Sequence, residues 1–91
     1  MEKFKVTFKK SVTKDLRSIP NTDVKRILKK IDSLCENPRS DGCVKLSAKE
    51  RYRVRQGLYR IIYEIRDEKL IIHVVKIGHR SGVYKGKKNS R

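Results

Sequence analysis

The chain has few acidic residues, few cysteines and no long apolar run, and each shortage excludes a class of protein. Its 91 residues include only 10 Asp+Glu against 25 Lys+Arg, a formal net charge of +15. Such an excess repels itself unless a polyanion relieves it: nucleic acid, an anionic membrane surface or an acidic protein. No apolar run approaches the roughly 20 residues that cross a bilayer, which argues against a membrane protein. Residues 1–5 lack the apolar core of a signal peptide, so we expect a cytoplasmic location.

The two cysteines, Cys35 and Cys43, are too few for a disulfide framework. One disulfide between them would need an oxidising compartment, and nothing in the sequence suggests export. The only histidines are His73 and His79, and no zinc-binding spacing connects them to the thiols. We therefore expect two reduced, unreactive thiols, no metal site and no cofactor.

The spacing of apolar residues predicts the order β-α-α-β-β-β. Alternation predicts strands and helical spacing predicts helices. The ranges are a strand over 4–8, two helices within 11–36 that break at Pro20, a loop over 37–50, and strands over 51–56, 58–65 and 70–77. Asn21–Asp23 are expected to cap the second helix, and Gly78 to end the last strand.

These elements predict an α+β fold in which a helical hairpin packs on one face of a mostly antiparallel four-stranded sheet. The nearly continuous apolar run over 70–77 predicts a buried central strand. Residues 1–84 are expected to form a single domain, and the basic residues 85–91 a flexible tail. The second face of the sheet is then available for function.

Arginines gather on that second face. Arg51, Arg53 and Arg55 alternate along one strand, so their side chains project from one side of it. A solvated basic strand would explain this pattern equally well, but Arg60 lies in an otherwise apolar stretch of the next strand, where a charge is costly. If its neighbours face the helices, Arg60 faces the other way, near Arg53 or Arg55. A guanidinium group can donate two parallel hydrogen bonds to two oxygens of one phosphate, so the cluster suits a phosphate ligand.

The segment Gly78–Tyr84 is expected to fold over the same face, since it follows the last predicted strand. It supplies an imidazole (His79), another arginine (Arg80) and a phenol (Tyr84). Two of them have an ordinary alternative: His79 as a surface histidine, and Tyr84 as a packing residue that pins the tail. His73, inside the apolar run, is expected to be a hydrogen-bonded strand residue.

These residues resemble the RelE/ParE toxin superfamily, and most closely its RelE-type mRNA interferases. The resemblance covers nearly the whole chain and is carried by Lys45-Leu46, by the stretch 52–65 and by the ending 77–84. The Gly-x-Tyr-Arg segment and the Gly-His-Arg-x-x-x-Tyr ending are specific in combination. One departure is the loop 47–50, which lacks the glycine usually found after Lys-Leu.

The resemblance implies a compact, microbial ribonuclease-like fold and a toxin of a type II toxin–antitoxin pair. Such toxins cleave mRNA at the ribosomal A site, inhibit translation and are silenced by a cognate antitoxin. The implied partners are an antitoxin protein, mRNA and the ribosome, with no membrane and no small-molecule cofactor. An acidic or amphipathic antitoxin segment would neutralise the basic face.

The resemblance also implies roles for residues. Arg60 and Arg80 would neutralise the scissile phosphate, and Tyr84 would act on the attacking 2′-hydroxyl. Arg53 and Arg55 stand where the best-known branch has basic residues, mostly lysines. Further predicted contacts to RNA are made by Arg51 and by Lys85 at the start of the tail.

Cleavage by 2′-hydroxyl attack needs a base, stabilisation of negative charge and an acid for the leaving oxygen. Arginine serves only the second need, because its pKa exceeds about 12. A tyrosine has a pKa near 10, and neighbouring arginines would lower it, so Tyr84 is the candidate base. Arg55 is counted with the catalytic arginines but cannot readily release a proton, which leaves His79 as the candidate acid.

Two other functions fit parts of the sequence. A ParE-like toxin shares the fold but inhibits DNA gyrase and cleaves no RNA; that branch generally lacks the ending formed here by Arg80 and Tyr84. A non-catalytic RNA-binding module would need only the charge. It would bind RNA in a salt-sensitive way and leave no cleavage products.

Overall fold

The computed structural model describes residues 3–40, 42–46 and 50–79. Its elements, in chain order, are β1 (Lys5–Phe8), α1 (Lys10–Arg17), α2 (Asn21–Glu36), β2 (Val44–Lys45), β3 (Arg51–Gln56), β4 (Tyr59–Arg66), a 3-10 turn (Asp67–Lys69) and β5 (Ile71–His79). The predicted elements are all present, and β2 is additional.

The five strands form one mixed sheet in the order β1-β5-β4-β3-β2. β1 runs parallel to β5, and the other neighbours are antiparallel. The α+β class and the mostly antiparallel sheet are confirmed, and the apolar run does form an interior strand. The prediction of four strands is wrong, because Val44 and Lys45 pair with Arg53 and Tyr52 inside the predicted loop. Two residues are too few to show the alternation by which a strand is recognised.

The helices and the core lie on one face of the sheet. Tyr52 and Val54 of β3 pair with Tyr63 and Ile61 of β4, and directly opposed residues share a sheet face. All four are buried in one cluster that both helices join. Its members are Val12, Ile19, Ile27, Ile31, Leu34, Tyr52, Val54, Ile61, Tyr63, Ile65, Ile72, Val74 and Ile77. We call the opposite face, which no described helix covers, the open face.

The second helix starts earlier than predicted. Asn21–Asp23 were expected to cap it from outside, which is wrong: they form its first turn, and Pro20 occupies the N-cap. The Pro20 carbonyl accepts hydrogen bonds from the backbone N–H groups of Asp23 (2.9 Å) and Val24 (3.0 Å). The Asp23 carboxylate is turned instead towards the Tyr59 hydroxyl, which donates to it at 3.4 Å.

The last strand ends later than predicted. Gly78 was expected to end it, which is wrong, because β4 still offers partners there: Arg60 pairs with Gly78 and Tyr59 with His79. β5 also extends beyond Val74, the last of its residues that pairs with β1. Beyond that point the backbone N–H of Ile77 donates to the Asp15 carboxylate of α1 at 3.3 Å.

The Tyr63 hydroxyl makes a buried hydrogen bond, donating to the Pro38 carbonyl at 2.7 Å. The ring has no exposed surface, and burial raises the pKa of the phenol. Tyr63→Phe is expected to lower the free energy of unfolding by about 1–2 kcal/mol, because the Pro38 carbonyl loses its donor. Urea unfolding measures this. Tyr52→Phe is the control with a smaller effect, since Arg39 and Glu50 also bind each other; equal losses would contradict the prediction.

Both cysteines are free thiols. Burial, and then the Asp32 carboxylate, raise the pKa of Cys35, which keeps that thiol protonated and unreactive. Neither helix in the described part of the chain combines the length and apolarity needed to cross a bilayer.

Candidate nucleic-acid interface

The open face brings arginines of two neighbouring strands together. Arg51, Arg53 and Arg55 of β3 alternate with buried core residues, so they lie on this face. The register pairs Arg55 directly with Arg60 of β4. Opposed residues of an antiparallel pair have Cβ atoms about 4.5–5.5 Å apart, so two guanidinium groups start from adjacent points of the sheet. Arg60 therefore faces away from the helices and stands beside Arg55, as predicted.

Arg60 is the one charged residue of the described chain that is buried, at 5% exposure. Its Nε lies out of contact with solvent. On its other side, β5 presents Gly78, which has no side chain. A glycine inside a strand permits the close approach of a ligand or another backbone. Arg60 thus has the Arg55 side chain on one side, and on the other only the backbone of Gly78, above which a ligand can approach the sheet closely.

Arg53 and Arg55 complete a cationic cluster with Arg60. Arg55 is exposed and Arg53 half-buried. No ion pair or hydrogen bond joins either of them to another described residue. Their positions two residues apart on one strand separate them by about 7 Å. Among the described residues, therefore, no carboxylate competes with an anionic ligand for either guanidinium group.

Arg51 differs from the other arginines of β3 because it has a partner within the protein. Its Nε donates to Glu64 Oε2 at 3.2 Å, and a second guanidinium nitrogen bonds the same oxygen. The other Glu64 oxygen accepts from Arg66 at 3.1 Å. Arg51 first, and Arg66 with it, hold the pKa of the Glu64 carboxyl below its usual value. The charge of Arg51, predicted to contact RNA, is already engaged.

Arg39 organises a second neutralised cluster at the same end of the sheet. It forms ion pairs with Glu50 and with Asp67, the latter at 2.9 Å, and its guanidinium lies 5.6 Å from the centre of the Tyr52 ring. Lys45 adds a contact to Glu50 at 3.0 Å. These contacts tie the segment after α2 to the start of β3 and to the 3-10 turn.

The structure does not bring His79 to the arginine cluster. His79 pairs with Tyr59, and Tyr59 pairs with Gln56 on the face that carries the helices. The two rings meet edge to face, with centroids 5.4 Å apart. The arginines Arg55 and Arg60 lie on the opposite side of the sheet. The sequence did not reveal this, because it depends on β5 continuing past Gly78.

His73 is a hydrogen-bonded strand residue, as predicted. Its Nδ1 lies 2.7 Å from the Thr7 hydroxyl of β1. Within residues 3–40, 42–46 and 50–79, no three His, Cys, Asp or Glu side chains are grouped as a metal site requires.

Comparison with known proteins shows the family. The family model described as "ParE toxin of type II toxin-antitoxin system, parDE" matches residues 6–84. The chain belongs to the RelE/ParE toxin superfamily. It is therefore a toxin of the type II toxin–antitoxin class, and the expectation drawn from its residues is confirmed.

Curated relatives carry the RelE name. The chain is 36% identical over 86 residues to toxin RelE3 of Methanocaldococcus jannaschii, covering 88% of this chain and 94% of the relative. It is 28% identical over 81 residues to the mRNA interferase toxin RelE of Escherichia coli K12, covering 85% of each. Both alignments span most of the toxin domain, so the relationship is not confined to one motif.

Solved RelE structures share the fold. The isolated RelE toxin of E. coli superposes with a TM-score of 0.76 at 25% identity, covering 91% of this chain and 93% of that one. The RelE of the archaeal RelE–RelB complex from Pyrococcus horikoshii superposes with a TM-score of 0.73 at 28% identity, covering 86% and 96%. The two helices on a mixed sheet are thus the fold of this toxin family.

Three predicted site residues lie outside the described residues: Arg80 and Tyr84, whose roles the RelE resemblance implies, and Lys85, a predicted contact to RNA. Their roles stay predictions. Two described residues that the sequence reasoning missed are Glu64 and Gly78 as neighbours of the arginines. The parity of β4 places Glu64 on the same side as Arg60, but its contact with Arg51 depends on a register that parity alone does not supply.

The Glu50 carboxylate is expected to make the stability of this toxin depend on acid. Arg39 first, then Lys45, lower the pKa of Glu50 from an ordinary value near 4.5 to about 2. A lowered folded-state pKa stabilises the protein above the ordinary value, and this contribution is lost as the pH falls towards 2. Glu50→Gln is therefore expected to flatten the fall of the urea midpoint between pH 4.5 and 2.

The matched control is Glu68→Gln. Glu68 lies in the nearby 3-10 turn, and no described residue forms an ion pair with it. Its removal should leave the acid dependence as it is in the unmodified protein. Identical profiles for the two variants would contradict the role given to the Arg39 cluster.

Proposed function

We propose that this toxin is an endoribonuclease that cleaves mRNA at the ribosomal A site through attack of the 2′-hydroxyl on the adjacent phosphorus. The observation that carries the proposal is the direct pairing of Arg55 with the buried Arg60 on the open face, with Arg53 alongside. A relative that shares 28% identity with the chain is named an mRNA interferase, which supports the same activity.

The arginines would serve charge stabilisation. The attack gives phosphorus a fifth oxygen neighbour and adds negative charge to its non-bridging oxygens. A guanidinium held away from solvent interacts with that charge more strongly than an exposed one, because water screens it less. Arg60 meets this condition, and Arg55 adds a second fork of donors from the opposed strand position. In this reaction the arginines supply the positive charge, so no metal ion is required.

Tyr84 is the proposed base and Arg80 a further phosphate ligand, both on the strength of the resemblance. A positioned base contributes about 10²–10⁴-fold to such a reaction. Arginine cannot take this role at neutral pH, since its pKa is above about 12. His79 is left out of the proposed reacting centre, because its ring packs against Tyr59 on the helix-bearing face.

We propose dependence on the ribosome because the described residues around the arginine cluster include no complete set of acid and base. No carboxylate–histidine pair lies beside Arg55 and Arg60 to act as base and acid without help. Alignment of the reacting atoms by a larger assembly can supply several kcal/mol of a barrier, about 7–11 kcal/mol in the best intramolecular cases. We propose that the ribosome provides this alignment.

A cognate antitoxin is the proposed regulator. The archaeal RelE toxin similar to this chain was solved as a RelE–RelB complex. The net charge of +15 favours an antitoxin with an acidic segment, because opposite charge speeds association and neutralises the surface.

Mapping of mRNA 5′ ends tests the proposed activity. The toxin is added to a translating extract and to the same mRNA without ribosomes. New ends at codons that occupy the A site are expected in the first sample and far fewer in the second. An extract in which translation stops without new mRNA ends would contradict the proposal.

Gyrase inhibition is the second candidate function, because the matching family model carries the ParE name. A ParE-like toxin would block DNA supercoiling by purified gyrase and leave translated mRNA intact. The supercoiling assay and the mRNA mapping therefore separate the two functions. Salt-sensitive RNA binding with neither effect would indicate a non-catalytic binding module.

A further inference from the structure

Charge is divided unequally along the open face. One half, nearest the β3–β4 turn, carries Arg53, Arg55 and Arg60, and among described residues no carboxylate forms an ion pair with Arg53 or Arg55. The other half begins at Glu64, four residues or about 13 Å along β4 from Arg60. There both arginines stand in ion pairs: Arg51 and Arg66 each contact the Glu64 carboxylate.

Glu64 causes the difference between the two halves of the open face, because it binds both arginines of the second half. Its side chain is 21% exposed, against 42% for Arg51 and 50% for Arg66, so it lies beneath the two cations that it binds. One carboxylate oxygen bonds Arg51 and the other bonds Arg66. Glu64 therefore binds the two arginines, Arg51 on β3 and Arg66 on β4, that would otherwise extend the cationic cluster of Arg53, Arg55 and Arg60.

A nucleic-acid phosphate gains less from an engaged arginine than from one without a carboxylate partner. To bind Arg51, a phosphate would compete with Glu64 and would bring its own charge close to that carboxylate. The half-buried carboxylate would lose a cation while facing a polyanion, which is unfavourable on both counts. At Arg53 and Arg55 no carboxylate of the described residues has to be displaced.

We propose that Glu64 marks the boundary of the RNA-binding surface: it confines the RNA backbone to the half of the open face that carries Arg53, Arg55 and Arg60. This rests on the proposed function in that the polyanion is RNA. Glu64 acts as a specificity-determining residue that limits how many phosphates the toxin grips away from the reacting centre. Arg51 is then a structural partner of Glu64 and not a contact to RNA.

The salt dependence of RNA binding counts gripped phosphates and so tests the boundary. For single strands, log K falls against log salt concentration with a slope of about −0.7 for each phosphate neutralised. The probe is a short 2′-O-methyl RNA oligonucleotide, which binds but lacks the 2′-hydroxyl needed for cleavage. Fluorescence anisotropy over a range of salt concentrations gives the slope for each full-length variant.

The decisive variants are Glu64→Gln and its charge-matched control Glu68→Gln. Glu64→Gln releases Arg51 and Arg66 and should steepen the slope by about 0.7 for each phosphate gained. Glu68→Gln removes the same charge but releases no arginine, so its slope should stay at the unmodified value. Thermal unfolding of both variants checks that the fold is retained.

A second pair of variants tests Arg51 itself. The double variant Arg51→Gln/Glu64→Gln keeps the net charge, and its slope should be no shallower than that of the unmodified protein. The slope for Arg53→Gln should be shallower than that of the unmodified protein by about 0.7. The boundary is overturned if the double variant becomes as shallow as Arg53→Gln, if Glu64→Gln is no steeper than Glu68→Gln, or if no variant binds in a salt-dependent way. Because the probe cannot be cleaved, a failure of mRNA cleavage in the extract would leave these slopes unaffected.

Discussion

Replacement of Arg60 by methionine is expected to slow mRNA cleavage by about 100-fold to 1,000-fold, the usual cost of losing one donor that stabilises the developing negative charge. Methionine fills much of the volume of arginine without its charge, which matters at a position that is 5% exposed. The cleavage rate of Arg60→Lys should lie between those of the unmodified toxin and Arg60→Met, because lysine keeps the charge but cannot form the bidentate contact with phosphate. Rates of appearance of new mRNA ends in the translating extract measure all three.

Arg66→Met is the matched control for this result. Arg66 lies on the same strand and the same face, but its guanidinium is bound to Glu64 at 3.1 Å. It is expected to keep most of the activity. Thermal unfolding of the Arg60 variants separates a loss of cleavage from a loss of fold. Equal rates for Arg60→Met and Arg66→Met, with both proteins folded, would remove Arg60 from the reacting centre.

Tyr84→Phe is expected to reduce cleavage by about 10²–10⁴-fold, which is what a positioned base contributes. The substitution removes one oxygen and keeps the ring, so RNA binding through the arginines should persist. The cleavage rate should therefore fall, while the affinity for the 2′-O-methyl probe, measured by fluorescence anisotropy, should stay unchanged.

Tyr59→Phe provides the control for the phenol. The Tyr59 hydroxyl donates to Asp23 on the helix-bearing face, and burial followed by the Asp23 carboxylate raises its pKa. Loss of that hydroxyl should leave cleavage nearly unchanged. If Tyr84→Phe and Tyr59→Phe cleave at the same rate, Tyr84 is not the base.

The sequence was informative wherever a feature depends on the alternation of one strand. Arg60 could be assigned to the open face because its apolar neighbours had to face the core, and Gly57 between two alternating stretches marked the hairpin that pairs Arg55 with it. At Gly57 the structure has a φ of +60°, a conformation that glycine adopts without strain. Local pattern and tertiary burial agree at these positions.

The sequence was misleading wherever a feature depends on a neighbouring element. Gly78 is a poor strand residue by itself, and β5 runs through it because β4 offers Arg60 as a pairing partner. That extension moves His79 to the helix side and away from the arginines. The engagement of Arg51 is of the same kind, since only the register between β3 and β4 sets it opposite Glu64.

The unequal lengths of β1 and β5 carry a consequence for self-association. A strand that outruns its neighbour exposes backbone donors along its free edge, which is a template for a strand from another molecule. Here the carboxylate of Asp15 accepts from the Ile77 N–H, and Lys76 contacts the same carboxylate at 3.4 Å. A foreign strand could pair at Ile77 only after breaking the hydrogen bond to Asp15, so we expect this side chain of α1 to make strand addition at the edge less favourable.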